Sequence, residues 1–421
     1  MRWTATDTWA FWSFALGMLL ENYTFSLAAI ATNWVTVPKS LDSLLLAWAP
    51  LWLIIGIALA GPLADRFGRK STFYLTMTLY TVGAIGLVFS YSYGLLLFFL
   101  AVMLLAAGGE MNTIMAASQE MMPEAHRGKT MMMELNFINL GGFLLALLAL
   151  SSAYQQVHFQ RLLVGVTAII ALFILFYIRL RTPESLRWLL RRGREEEARA
   201  QAERYYGAEA EARLAQARTT SSSDPGGHTP MWIRFFTTLT ISFAGAAGFG
   251  LLTYVIGPYY FKNLTATILL IATGVGFFSG FFGLAADRLS RKGLLLIGYL
   301  GSTLVTLWIL VALPEWSKSL PYFFALLILL NLFVNIGYLT EDTLKAEVWP
   351  TERRGTYTAL VRFISIGLYI VTIYLTQNLS IQQYILFSLV VWAIGLAGAL
   401  VWWFFGHETG RGVDLARASG E

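Results

Sequence analysis

Two carboxylates occupy positions where a carboxylate is costly. Glu21 and Glu110 each fall near the middle of a long apolar run, the first and the fourth along the chain. An ionisable group so deep in a membrane span is rare and marks a functional site by default. Three chemistries would justify it. If the two lie close together, like charges cannot both stay ionised, and one becomes a carboxyl that binds and releases a proton near neutrality. If both stay ionised, they attract a cationic solute. If Ser, Thr or backbone donors satisfy them, they are structural. Groups able to share such a site recur: Asn22 and Tyr23, Asn112, Asn136 and Asn139, Tyr254, and Asn331, Asn335 and Tyr338. Asn331, Asn335, Tyr338 and Asp342 follow helical spacing on one face. Any of these amides could equally be glue between helices. Glu134, Glu341, Asp342 and Arg362 lie nearer the ends of their runs and read as gating pairs, with substrate contact as the alternative for Arg362.

A second constellation is duplicated. Gly61-Pro62-Leu63-Ala64-Asp65-Arg66-Phe67-Gly68-Arg69-Lys70 returns as Gly283-Leu284-Ala285-Ala286-Asp287-Arg288-Leu289-Ser290-Arg291-Lys292. Glu120-x-x-Pro123-x-x-x-Arg127-Gly128 returns as Glu347-x-x-Pro350-x-x-x-Arg354-Gly355. Both repeats use a period of half the chain. Gly61 permits close helix approach. Asp65 and Asp287 can accept from amides at a neighbouring helix start, and the basic residues can bridge to Glu120 and Glu347. Such pairs would close one side of the molecule. The alternative is charge that serves only to orient the chain.

The elements that must position these groups follow from composition. Of 421 residues, 57% are hydrophobic and only 13% charged, against roughly a quarter charged in soluble domains. Apolar runs predict spans at 9–32, 43–64, 71–90, 94–118, 129–152, 160–180, 232–257, 267–286, 293–312, 321–344, 356–377 and 381–405. A helix needs about 20 apolar residues to cross, and the runs are far too long for barrel strands. Arg66, Arg69, Lys70, Arg127, Lys129, Arg181, Arg187, Arg191, Arg192, Arg288, Arg291, Lys292, Arg353 and Arg354 all follow even-numbered spans. By the positive-inside rule those loops and both termini are cytoplasmic. No cleavable signal peptide is expected, because the first run lacks a basic leader and reads as a span. Residues 181–230 are polar, helix-prone to Arg218, then flexible from Thr219 to Gly227, and are expected to be a solvated spacer.

There is no cysteine, and the four histidines show no ligand spacing, so neither a metal nor a cofactor is expected. The net charge of +5 follows membrane topology and implies no nucleic acid. No nucleophile constellation or phosphate loop is present, which argues against an enzyme and against direct ATP drive. Duplicated halves around a midplane site are a recurring transporter plan.

On its repeated loop motifs the chain resembles the major facilitator superfamily over nearly its whole length. Pro183-Glu184-Ser185-Leu186-Arg187-Trp188-Leu189 resembles the segment after the sixth helix in sugar porters and organic ion transporters. Glu408-Thr409-Gly410 resembles their terminal motif, with His407 replacing a proline. The resemblance implies an all-α membrane protein, with 12 transmembrane helices in two pseudo-symmetric six-helix bundles. The expected parts are an N-terminal bundle (1–180), a cytoplasmic helical linker (181–230), a C-terminal bundle (231–406) and a cytoplasmic tail (407–421). It implies a secondary transporter of the plasma membrane, moving a small organic ion or metabolite by alternating access, driven by protons through Glu21 and Glu110, and monomeric. Glu110→Gln is expected to abolish gradient-driven uptake while sparing exchange. The alternatives are a uniporter or exporter of organic cations or sugars without proton coupling, and a non-transporting sensor. The amides that resemble a sugar-reading set are missing before Tyr259-Tyr260. Thr24 and Leu100 stand where proton-coupled sugar porters carry an aspartate and an arginine. Sugar is therefore demoted.

Overall fold

In the computed structural model the described residues are 2–31, 34, 42–151, 156–218, 229–249, 251–376, 378–413 and 415–419. Lipid offers no hydrogen bonds, so each apolar run satisfies its own backbone as a helix. The first half runs through α1 (Ala5–Ala31), α2 (Asp42–Phe67), α3 (Arg69–Val88), α4 (Tyr93–Met121), α5 (Arg127–Ser151) and α6 (Val157–Leu180). Three short helices follow, α7 (Leu186–Arg191), α8 (Glu195–Tyr206) and α9 (Ala210–Arg218). The second half holds α10 (Met231–Gly248), α11 (Gly257–Tyr260), α12 (Thr265–Ser279), α13 (Arg291–Val311), α14 (Leu313–Trp316), α15 (Leu320–Glu347), α16 (Arg354–Thr376) and α17 (Ile381–Phe405). The tail carries α18 (Leu415–Ser419). Among the described residues, eleven helical stretches are long and apolar enough to cross a membrane. With 27 residues, α1 has the length of a twelfth, but Glu21, Asn22, Tyr23 and Thr24 interrupt its apolar run.

The seventh span departs from the expected unbroken run. Its first part, α10, stops at Gly248, Phe249 is extended (φ −61°, ψ 132°), and a π-helical segment, Leu251–Ile256, leads into α11. Gly248, Gly250, Gly257 and Pro258 cluster here. Glycine costs about 1 kcal/mol in a helix interior, and proline more. Broken helices of this kind are typical next to transporter binding sites.

Packing separates the chain into cores. One apolar cluster draws its members from 233–402, and a second from 20–175 with Ala359 and Ile366 added. A third straddles the two, joining Met18, Met111, Met115, Met131 and Met132 to Ala286, Leu339 and Ala346. Thioether side chains fill irregular gaps and tolerate rearrangement, so this seam is filled by groups that can repack. Outward faces stay apolar, as at Phe173, Leu375 and Phe404, where lipid replaces water.

Residues 181–218 are not a solvated spacer. Trp188, Leu189, Ala198, Ala202, Tyr206 and Leu214 form a core of their own. The unit is fastened to the first half by Arg213 on Asp7 (2.5 Å) and by Trp188 Nε1 on the Asp65 carbonyl (2.8 Å). Charge-assisted bonds to buried partners are what the polar composition could not reveal.

Candidate functional site: a buried polar layer above a paired gate

The two loop motifs fold into matching modules on the molecule's basic face. In the first, Gly68 takes φ 100°, a conformation open to glycine. A Cβ there would sit 2.3 Å from Glu184 Oε2. That space lets Glu184 accept from the Arg69 and Lys70 amides, both at 3.0 Å, and so cap α3. Burial pushes the Glu184 carboxyl up from its ordinary range, against the pull of the Ser185, Lys70 and Arg69 amides and the Arg69 charge. Lys70 Nζ donates to the Thr182 carbonyl (2.9 Å), and Ser185 Oγ to Glu120 (2.7 Å). Arg69 forks onto Glu120 (2.7 and 3.2 Å) and reaches Asp65 (2.8 Å).

The second module repeats most of these bonds. Glu408 accepts from the Arg291 amide (2.8 Å) and from the Ser290 hydroxyl. Lys292 Nζ donates to the Gly406 carbonyl (2.9 Å), Thr409 Oγ1 to Glu347 (2.7 Å), and Arg291 pairs with Glu347 (3.2 Å). Glu184-Ser185 and Glu408-Thr409 are therefore a third repeated pair. Sequence inspection matched them to separate motifs and missed their equivalence.

Each module also grips the opposite half. Asp65 accepts from the backbone amide (2.9 Å) and hydroxyl (2.7 Å) of Thr356 at the start of α16. Asp287 accepts from the amides of Gly128 (2.7 Å) and Lys129 (3.2 Å) at the start of α5. Both contacts place a carboxylate on the positive end of a helix. Arg354 crosses to Glu120 at 3.5 Å. Its counterpart Arg127 instead donates to the Val413 carbonyl in the tail (2.7 Å). Asn112, expected at the substrate, donates to the Gly355 carbonyl (3.2 Å) and so belongs to this set of contacts between the halves.

A Cβ on Gly61 would lie 2.6 Å from the Ala359 Cβ and 2.8 Å from the Gly355 carbonyl oxygen. Gly61→Val must therefore part α2 from α16 and pull Thr356 off Asp65. The chain has no cysteine, so Ala346→Cys, buried in the seam, gives a clean probe. Overpacking of this kind costs about 1–3 kcal/mol, and maleimide labelling is expected to accelerate roughly tenfold. Unchanged labelling would remove the close-approach argument.

Above the paired modules lies a buried polar layer. Glu341 and Asp342 on α15 both pair with Lys345 on the same helix (3.2 and 2.5 Å). Lys345 also donates to Ser242 (3.0 Å), and the Tyr299 hydroxyl touches Glu341 while donating to the Ile241 carbonyl (2.7 Å). Glu21 interacts electrostatically with Arg362 and Asp342, yet it forms no hydrogen bond or ion pair among the described residues. Glu21 and Arg362 are each 6% exposed. Near this layer a small cavity is lined by Phe249, Tyr299, Val334, Tyr338 and Trp392, beside the break in the seventh span.

Several expected residues sit elsewhere. Glu110 lies against Gly17 of α1, but its partners are Arg179 on α6, in an ion pair, and Thr76 (2.5 Å). Tyr23 donates to the Val164 carbonyl (3.0 Å) and Asn22 to the Ile138 carbonyl (2.8 Å), both within the first half. Asn136 donates to the Phe277 carbonyl (2.8 Å), and Asn139 to Asn335 (2.8 Å), which stitches the halves together. Asn331 bonds the Leu327 carbonyl of its own helix. The side chain of Tyr254 is outside the described residues. Asp342 and Arg362 do not pair across the halves, and Glu134 is buried with neither carboxylate oxygen bonded, so the structure gives none of the three a gating pair. Arg66 and Arg288 are exposed and form no ion pair among the described residues. In α2, one position past Asp65 rotates Arg66 about 100° away from the seam.

Arg179, Lys345 and Tyr299 were missed by sequence reasoning. Lys345 follows Glu341 and Asp342 by four and three residues, a spacing that puts unlike charges together on a helix. Arg179, in the last turn of α6, has the same position as the basic residues that topology places at a span's cytoplasmic end.

Comparison with known proteins identifies the family. The family described as "Sugar (and other) transporter" matches residues 13–414. The probable metabolite transport protein CsbC of Bacillus subtilis is 26% identical over 373 residues, covering 83% of this chain and 80% of that one. The glucose transporter GlcP of Staphylococcus epidermidis is 25% identical, covering 76% and 75%. The solved structure of the proton:xylose symporter XylE superposes with a TM-score of 0.79 at 20% identity, covering 98% of each chain. The chain belongs to the sugar (and other) transporter family, a major facilitator group of multi-pass membrane proteins that move small molecules rather than transform them.

Proposed function

We propose that the chain is a proton-coupled secondary transporter of a small organic ion or metabolite, working by alternating access. It lies in the plasma membrane as a monomer, with the basic face and both termini in the cytoplasm. The observation that carries the reading is the pairing of the duplicated modules. Asp65 and Asp287 each hold the first turn of a helix in the other half, so a rocking motion breaks both grips together. Above them Glu21 is buried and free of bonded partners among the described residues, and it is the carboxyl we assign to proton coupling. Glu110, already matched by Arg179, stands aside from it.

The test uses purified protein in liposomes with an imposed pH gradient. Glu21→Gln is expected to abolish accumulation of solute while leaving exchange of labelled for unlabelled solute within about twofold, because a fixed neutral side chain removes the proton but not the pocket. Accumulation equal to the parent protein's would end the proton role of Glu21.

A second reading, facilitated transport of a sugar, is favoured by the glucose and xylose transporters among the similar proteins. Against it, the amides of Asn22, Asn136, Asn139 and Asn335 are already engaged between helices. Flux indifferent to the pH gradient, with glucose as the preferred solute, would select it.

A further inference from the structure

Arg362 is bound unlike any other buried arginine described. Arg69, Arg179, Arg213, Arg291 and Arg354 each have a carboxylate within 4 Å. Arg127, Arg161, Arg187 and Arg234 donate to backbone carbonyls. Among the described residues Arg362 donates only to sulfur, to Met115 at 3.2 Å and Met111 at 2.8 Å on α4. A guanidinium has five donors in a fixed fork, and a thioether is a weak acceptor. A buried cation left so poorly matched is costly, unless an oxygen anion takes the place of the sulfurs during the working cycle.

The surroundings favour that. Arg362 belongs to α16 and the two methionines to α4, so the fork spans the seam between the halves. Tyr338 interacts electrostatically with Asp342, Glu21, Arg362 and Glu341, which places the set in one locale. Tyr80 is a further titratable group interacting with Glu21. Arg362 and Lys345 balance two of the three carboxylates Glu21, Glu341 and Asp342, leaving one negative charge in excess. A proton on Glu21 removes that excess, and one bound carboxylate restores it, so anion and proton enter without changing the charge of the buried layer. The methionine side chains, displaced from the guanidinium, offer a soft apolar wall to the rest of the ligand.

We propose that Arg362 is the anchor for the carboxylate of a small monocarboxylate with a flat apolar body, held by both arms of the guanidinium in place of Met111 and Met115. This rests on the transport reading above and names its substrate class.

The probes are benzoate, its neutral isostere benzamide, and glucose, titrated calorimetrically into the full-length protein in detergent and followed by counterflow in liposomes. Charge-assisted forks outweigh neutral bonds, so benzoate is expected to bind at least about tenfold tighter than benzamide. Arg362→Lys should erase most of that preference, since a point charge lacks the fork, and Arg362→Gln all of it. The comparison of benzoate with benzamide on the parent protein needs no variant to fold. Benzoate binding no better than benzamide overturns the inference. So does an undiminished preference in Arg362→Lys. Glucose counterflow with no benzoate binding would sink the inference and keep the transport reading. Benzoate binding without counterflow of any probe would keep the site and sink the transport reading.

Discussion

Glu120→Ala is expected to cost more stability than any other single change at the basic face. The Glu120 carboxylate receives a two-armed bond from Arg69, the Ser185 hydroxyl at 2.7 Å, and Arg354 from the other half at 3.5 Å. Its side chain and that of Arg354 are fully buried, and that of Arg69 is 1% exposed. Removing it leaves Arg69 with Asp65 as its remaining carboxylate and takes from Arg354 the carboxylate it meets in the other half, in a site closed to water. Breaking a buried pair by deleting one partner costs about 3–5 kcal/mol. Glu347 is the repeat's counterpart, but among the described residues only Arg291 pairs with it within 4 Å, while Arg127 reaches the tail carbonyl instead. Glu347→Ala should therefore lower the Tm by clearly less than Glu120→Ala, although sequence makes the two residues equivalent. Maleimide labelling at Ala346→Cys should rise in the same order. Arg354→Met isolates the crossing contact, because the Arg69 fork survives it. Labelling should increase with little change in Tm. Equal losses in Glu120→Ala and Glu347→Ala would mean that the crossing contact contributes nothing and that the gate is symmetric.

The parts legible in the sequence were those written twice. The repeated Asp, Arg and Glu positions identified the modules, and the structure brings Asp65, Asp287, Arg69, Arg291, Glu120 and Glu347 into them while Arg66 and Arg288 stay exposed. Composition fixed the helices, since lipid leaves the backbone no other option. The layer above the gate was harder to read. Asn22, Asn139 and Asn335 look like substrate ligands in a sequence because amides in apolar runs are rare, yet an amide bonding another helix has the same sequence signature. Arg179 was hidden because a basic residue at a span's end is also what topology demands. Whether its side chain runs outward to the headgroups or inward to Glu110 depends on a partner on another helix. The break at Phe249 was signalled by the glycines around it, but hydropathy averaging smooths over a single extended residue.

The pair that sequence could not see makes the second large prediction. Glu110 is fully buried and Arg179 is 3% exposed, between α4 and α6, with Thr76 on the carboxylate and the guanidinium stacked 4.3 Å from the Phe73 ring centroid. Glu110→Gln, in a sequence-only view a clean probe of proton coupling, leaves Arg179 without its counter-charge. Arg179→Met strands Glu110 in the same way. Each single change should cost about 3–5 kcal/mol and depress folded yield, exchange and gradient-driven uptake together, so neither reports on protons. The double variant Glu110→Leu with Arg179→Met removes both charges at once. Replacing a buried ion pair with apolar groups of similar volume is often neutral or stabilising by about 1–4 kcal/mol. Thr76 keeps its bond to the Phe73 carbonyl at 3.0 Å, so no donor is orphaned. The double variant is expected to regain the parent Tm and to retain uptake driven by a pH gradient, the outcome that follows from the assignment of the coupled proton to Glu21 proposed above. A double variant that folds and exchanges solute but no longer accumulates it would return Glu110 and Arg179 to the proton path and displace Glu21 from it.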